Sequence, residues 1–228
     1  MIEYQNPLKE DDVRQICYNN GLEIHDHQWN LLKKWVFLLQ DLNQKANLIS
    51  RKETNFLWEK QILSCLTLLI LRKFNQNSEI CDFGTGGGLP GILMAIVRPD
   101  LKLTLFESRK KKVKFVQEMI ETLKISNVQI ILGRGEELGK KSLFFHRFPF
   151  VTSRSVASMV DIVRWTSDLR KPESVLHIFK GGEFIDEEFA LLEKFSGFRI
   201  NKSSMNLKGY SRFVDNQKFI ISLEFYQD

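Results

Sequence analysis

With 228 residues and 43% hydrophobic content, the chain is long enough for one well-buried core plus an accessory layer, and too apolar for a disordered protein. Its apolar stretches, such as Leu66 to Leu71, fall far short of the roughly 20 residues a membrane-spanning helix needs, and the polar start MIEYQNPLKEDD is no signal peptide, so a cytoplasmic protein without a membrane partner is expected. The net charge of +5 is concentrated between Arg98 and Lys141, where 11 basic residues face 6 acidic ones, and a localised basic face of this kind favours an anionic partner such as nucleic acid.

Residues 1–75 read as helical, because Trp29, Leu32, Val36 and Leu39 recur at three- and four-residue spacing, as do Trp58, Ile62, Leu66 and Leu69. They are expected to form an N-terminal helical layer packed on the core, with residues 76–228 forming the second unit. From Glu79 the pattern changes to short apolar runs alternating with helices, the signature of a βαβ sheet and of an α/β fold. The expected strands are Glu79–Phe83, Lys102–Phe106, Val128–Leu132, Phe148–Thr152, Val175–Phe179 and Lys218–Phe225. A short helix over Pro90–Val97 is closed by Pro99, and Val113, Val116, Ile120 and Leu123 give the next helix one apolar face. Cys17, Cys65 and Cys81 are widely spaced, with no CxxC and no matching His pair, so they read as small buried apolar residues and no metal site is expected. The four histidines show no ligand spacing.

After the first strand, ICDFGTGGGLPGI places five glycines within eight residues. The segment Gly86–Gly91 formally fits the dinucleotide fingerprint GxGxxG, while Asp82–Gly88 fits the (D/E)xGxGxG loop of S-adenosylmethionine enzymes. Glu107, at the end of the second strand, would take ribose hydroxyls in either case. Register favours the methyl donor: the turn begins at Gly84, and counting GxGxxG from there puts Leu89 where the third glycine belongs. Asp82 also argues against a pyrophosphate, whereas the ammonium and sulfonium of S-adenosylmethionine are attracted to a carboxylate. A glycine turn without a ligand is the bland alternative, although so many glycines at one helix entry carry an entropic cost.

Four segments between Asn47 and Gly181 resemble the bacterial 16S ribosomal RNA guanine-N7 methyltransferases, the GidB or methyltransferase G family. They are Asn47-Leu48 with Trp58-Glu59 and Ile62-Leu63, then DFGTGGGLPGILMAIVRPDLKLTLFES, then GRGEE (Gly133–Glu137), and TSRSVAS (Thr152–Ser158) with Phe179-Lys-Gly181. Lys60, Gln61 and Ser64 depart from the family's usual Arg, His and Asp, Pro172-Glu-Ser174 replaces its PGG turn, and Gly139–Phe148 looks like a small insertion. The resemblance implies a Rossmann-like class I methyltransferase sheet, S-adenosylmethionine as cofactor and 16S ribosomal RNA of the small subunit as partner; a monomer is expected. It implies that Gly84 and Leu89 line the cofactor loop, where the glycine motif already places Asp82, Gly86 and Gly88, that Gly135 and Glu136 lie against the adenine, and that Arg154 touches the cofactor. Leu89 and Leu132 read equally well as plain core.

Guanine N7 carries a lone pair and no proton, so methyl transfer to it needs alignment and no general base. The (N/D/S)PP(Y/F) turn of amino-group methyltransferases is replaced here by Thr-Ser-Arg-Ser, and the cysteine needed for C5-pyrimidine chemistry is absent from that turn. Arg154 and Lys180 are the residues expected beside the target guanine, with surface ion pairs as their alternative reading. The run Arg109–Lys114 puts cations at a helix start, against the helix dipole. Lys111, Lys112 and Lys114 are therefore expected to meet RNA phosphates, a solvated helix face being the alternative, and none of the three is expected to reach the cofactor.

Overall fold

The computed structural model describes residues 6–46 and 51–227; Asn47 and Leu48, part of the first resemblance segment, lie outside the described residues. Along the chain run helices α1 (Glu10–Asn19) and α2 (Asp26–Ala46), a 3₁₀ turn (Arg51–Phe56), a π-helical segment (Leu57–Leu63) and α3 (Ser64–Leu71). There follow β1 (Glu79–Phe83), α4 (Gly91–Val97), β2 (Lys102–Glu107), α5 (Lys110–Leu123), β3 (Val128–Leu132), α6 (Gly135–Leu138), β4 (Phe148–Arg154) and α7 (Met159–Trp165). The chain closes with β5 (Arg170–Gly181), α8 (Ile185–Lys194), β6 (Phe198–Ser204), α9 (Arg212–Asp215) and β7 (Lys218–Phe225). None of the described helices is long and apolar enough to cross a membrane.

The seven strands form one sheet in the order β3-β2-β1-β4-β5-β7-β6. Strands β1 to β5 pair in parallel, and β7 enters antiparallel between β5 and β6. Successive side chains on a strand point to opposite faces, and the two apolar clusters follow that alternation. Ile80, Leu103 and Leu105 face one cluster, whereas Cys81, Phe83 and Phe106 face the other. The N-terminal helices bury Trp29, Leu32, Trp35 and Leu39 in the first cluster, beside Leu93 and Ile96 of α4. Gln28 ties the two layers, since its amide donates to the Ile96 and Val97 carbonyls (2.9 and 2.8 Å) that the end of α4 leaves without helical partners.

Three elements differ from the sequence expectation. The stripe Trp58, Ile62, Leu66, Leu69 does not lie on one α-helix, because the chain runs as a π-helix through Leu63 before α3 begins. Strand β5 starts at Arg170 rather than Val175, and the pairing register with β4 shifts between Phe148 and Phe150, where Pro149 and Pro172 have no N–H to donate. Strand β6 escapes the apolar-run criterion because it is an edge strand with only Phe198 and Ile200 as apolar residues, both half-buried.

Candidate active site

Strand order reverses between β1 and β4, and open α/β sheets bind ligands in the crevice outside the carboxyl ends of such strands. A cleft of about 570 Å³ opens there, a size ordinary for a small-molecule site. Gly84, Gly86 and Leu89 from the loop after β1, Glu107 ending β2, Gly135 and Glu136 after β3, and Arg154 ending β4 all line it. Gly84 has φ +70°, and a Cβ there would stand 2.6 Å from a Val156 methyl, so both conformation and space call for glycine. At Gly135 a Cβ would stand 2.2 Å from the Phe83 ring, which also lines the cleft.

Glu107 is 7% exposed and holds the site's backbone together. Its Oε2 accepts the Gly86 N–H at 3.0 Å and its Oε1 accepts the Arg109 N–H at 2.8 Å. The same carboxylate therefore shapes the glycine loop and sets a negative charge at the start of α5, opposite the lysine run. Each oxygen keeps a further lone pair for a hydroxyl in the cleft.

Asp82 stands differently. It is fully buried beneath the loop and does not line the cleft among the described residues. Its Oδ2 accepts from Thr85 Oγ1 at 2.6 Å and from the Gly91 N–H at 2.8 Å, and its Oδ1 from Thr152 Oγ1 at 3.3 Å. Burial pushes its carboxyl up to about 6, against the lowering effect of these hydrogen bonds. The attraction to an ammonium inferred from the sequence is thus replaced by a structural one: Asp82 clamps the loop to the first residue of α4. That clamp also weighs against a dinucleotide, whose pyrophosphate would sit on free N–H groups of this helix start. Here the Gly91 N–H is already held by a carboxylate, and the Ile92 N–H donates to the Gly88 carbonyl at 2.8 Å. Gly88 is buried and shapes the turn without lining the cleft.

The basic residues divide. Lys111 and Lys114 are exposed on α5, while Lys112 is half-buried and lines the cleft, its Nζ lying 3.8 Å from where a Gly86 Cβ would be. None of the three was expected to reach the cofactor; Lys112, unlike Lys111 and Lys114, does line the cleft. Lys180 is not among the cleft-lining residues: its ammonium pairs with Glu187 of α8 at 2.5 Å, and Glu187 also accepts the Met159 N–H at 2.9 Å. The ion-pair reading describes its geometry, and its work is to tie β5, α7 and α8 together. Leu89 is both core and lining, at 6% exposure, whereas Leu132 is 46% exposed and is not core.

Sequence reasoning missed Gln61, Thr85, Arg109 and Trp165, all of which line the cleft. Trp165 packs beside Phe83 with ring centroids 6.4 Å apart, and only the sheet order reveals that the end of α7 returns to this mouth. Gln61 is 1% exposed and arrives from the π-helical segment. The departure from the family pattern at positions 60 and 61 was its one visible signal.

Residues 28–212 match the profile of the family described as rRNA small subunit methyltransferase G, GidB. The chain belongs to this family. Among its relatives, the ribosomal RNA small subunit methyltransferase G of Chlorobium limicola is 34% identical over 215 residues, covering 93% of this chain and 96% of that protein. The fold is that of known methyltransferases as well. A precorrin-6y C5,15-methyltransferase from Geobacter metallireducens superposes with a TM-score of 0.53 at 15% identity, covering 73% of this chain and 89% of the other. A SAM-dependent methyltransferase from Aquifex aeolicus superposes with a TM-score of 0.51 at 18% identity, covering 71% and 93%. Family and fold together place this chain among the Rossmann-like class I methyltransferases.

Proposed function

We propose that the protein transfers a methyl group from S-adenosylmethionine to N7 of a guanine in 16S ribosomal RNA, acting in the cytoplasm as a monomer on the small ribosomal subunit. The observation that carries this reading is the cleft at the switch point, with Glu107 and the glycine loop on one side and Arg154 on the other, in a chain of the methyltransferase G family. The residues fit the cofactor: Glu107 retains acceptors for a ribose diol, Gly84 and Gly135 leave room for close approach, and the carboxylate under α4 disfavours a dinucleotide.

When bound, S-adenosylmethionine supplies a methyl group on a sulfonium, open to in-line displacement. The chain's own residues have then to bind and align. Glu107 takes the ribose hydroxyls through charge-assisted bonds. Gly135 and Glu136 border the space for the adenine, with Phe83 and Trp165 as aromatic walls. Arg154 presents a cation at the lip for the guanine edge or a neighbouring phosphate. A nucleophile with a lone pair and no proton suits a cleft whose described lining carries no histidine or cysteine. Lys111 and Lys114 stand on the solvent side of α5, beside the cleft, as phosphate contacts.

The test is chemical mapping of 7-methylguanosine in 16S ribosomal RNA from cells with and without the protein. One guanine loses its methyl group without the protein and regains it with the wild-type gene but not with Arg154→Ala. An unchanged map overturns the assignment.

A further inference from the structure

Arg154 enters the cleft with its guanidinium already engaged on an element far away in sequence. Nη1 donates to Gln61 Oε1 at 2.8 Å and to Cys65 Sγ at 3.3 Å, and Nη2 donates to the Lys60 carbonyl at 2.8 Å. Three of the five guanidinium donors are thereby used, and all three acceptors come from residues 60–65, where the π-helical segment passes into α3. Among the described residues, two donors are left for whatever enters the cleft.

The segment that holds Arg154 is itself anchored from its other side. Glu59, one residue earlier, is buried, and its carboxylate accepts from the Tyr210 hydroxyl at 2.7 Å and from Arg212 Nη1 at 2.9 Å. Glu59 and Gln61 are both buried although only two positions separate them, so the helix turns both inward.

We infer that Gln61, with the Lys60 carbonyl, is a positioning residue that fixes the Arg154 guanidinium for methyl transfer. An arginine has several rotatable bonds, and a free one would sample many poses at the lip. Gln61 Oε1 is the oxygen acceptor of Nη1, so removing it leaves that arm of the fork only the longer contact with Cys65 Sγ, while the Lys60 carbonyl stays in place. The proposal rests on the methyl-transfer reading for its catalytic consequence, but the pinning of Arg154 is measurable without it.

The experiment compares wild type, Gln61→Met, Gln61→Glu, Arg154→Ala and the Arg154→Ala/Gln61→Met double variant of the full chain. Methionine keeps the length and volume of glutamine and removes the acceptor; glutamate keeps both. Small ribosomal subunits lacking the modification and S-adenosylmethionine with a labelled methyl group serve as substrates. Gln61→Met lowers kcat by roughly 10- to 100-fold, the range for a misaligned reacting group. Its KM for the small subunit changes by less than about threefold, and Gln61→Glu recovers kcat to within about threefold of wild type. The double variant is no slower than Arg154→Ala alone, the result required if Gln61 serves the reaction through Arg154.

The independent readout is the nitrogen–proton NMR signal of the Arg154 side chain, assigned by its loss in Arg154→Ala. It is sharp in wild type and Gln61→Glu and exchange-broadened in Gln61→Met. An unaltered signal in Gln61→Met, or additive losses of kcat in the double variant, overturns the inference. Wild type that shows the pinned signal but never methylates the subunits supports the positioning and overturns the proposed reaction instead.

Discussion

Asp82→Asn should change how stability depends on pH while leaving the fold intact. Burial holds the Asp82 carboxyl at about 6, compared with 3.8 for an ordinary aspartate. A folded-state value above the unfolded one means that the folded chain binds the proton more tightly. That contribution is fully present below pH 3.8 and is lost as pH rises through about 6. At ~1.36 kcal/mol per unit, the shift corresponds to about 3 kcal/mol of stability given up above pH 6. Asparagine can keep the geometry: its carbonyl accepts from Gly91 and Thr85 as Oδ2 does, and its amide donates to Thr152 Oγ1, whose own proton turns to the Cys81 carbonyl. His177 works in the opposite direction, because burial pushes its imidazole down to about 3, so its contribution is present above pH 6.5 and is lost as pH falls. In wild type the two slopes oppose each other between about pH 4 and 6. Urea unfolding at several pH values reads the difference. The variant matches wild type near pH 4, gains about 3 kcal/mol by pH 7.5, and loses stability more steeply than wild type on acidification. Parallel curves from pH 4 to 7.5, or a variant less stable at pH 7.5, refute the reasoning.

Glu107→Ala removes a ribose acceptor and the partner of two backbone N–H groups, so cofactor affinity falls by roughly 1.5 to 3 kcal/mol and the melting temperature drops with it. Calorimetry and thermal melts check both, and unchanged affinity removes Glu107 from the cofactor site. Lys111→Ala/Lys114→Ala weakens binding to the small subunit and flattens the slope of log affinity against log salt by somewhat under one unit per lysine, with cofactor affinity unchanged. Lys112→Ala, by contrast, alters cofactor affinity because that side chain lines the cleft; equal behaviour of the three lysines contradicts the division seen here. Gly135→Ala drives a methyl into the Phe83 ring and destabilises the fold by roughly 1 to 3 kcal/mol, measured by urea unfolding.

Whatever depends on neighbours a few residues apart was legible in the sequence. Short apolar runs mark β1, β2 and β7 because these strands are buried on both faces, and the glycine loop declares itself because its backbone must turn left-handed where side chains are disfavoured. Glu107 could be placed by its spacing from Asp82, and the family resemblance followed from such local segments. Tertiary structure alone decided which groups meet. Asp82 was expected to face a ligand and instead clamps α4, because the loop folds back over the end of β1. Lys180 and Arg154 both end strands at the working edge, yet one is spent on Glu187 and the other is held by Gln61, 93 positions away. A sequence pattern averages over such pairings, since its periodicity reports which face is buried and not which residue of another element lies opposite. The order β3-β2-β1-β4-β5-β7-β6 and the helices packed on it bring such partners together from distant parts of the chain.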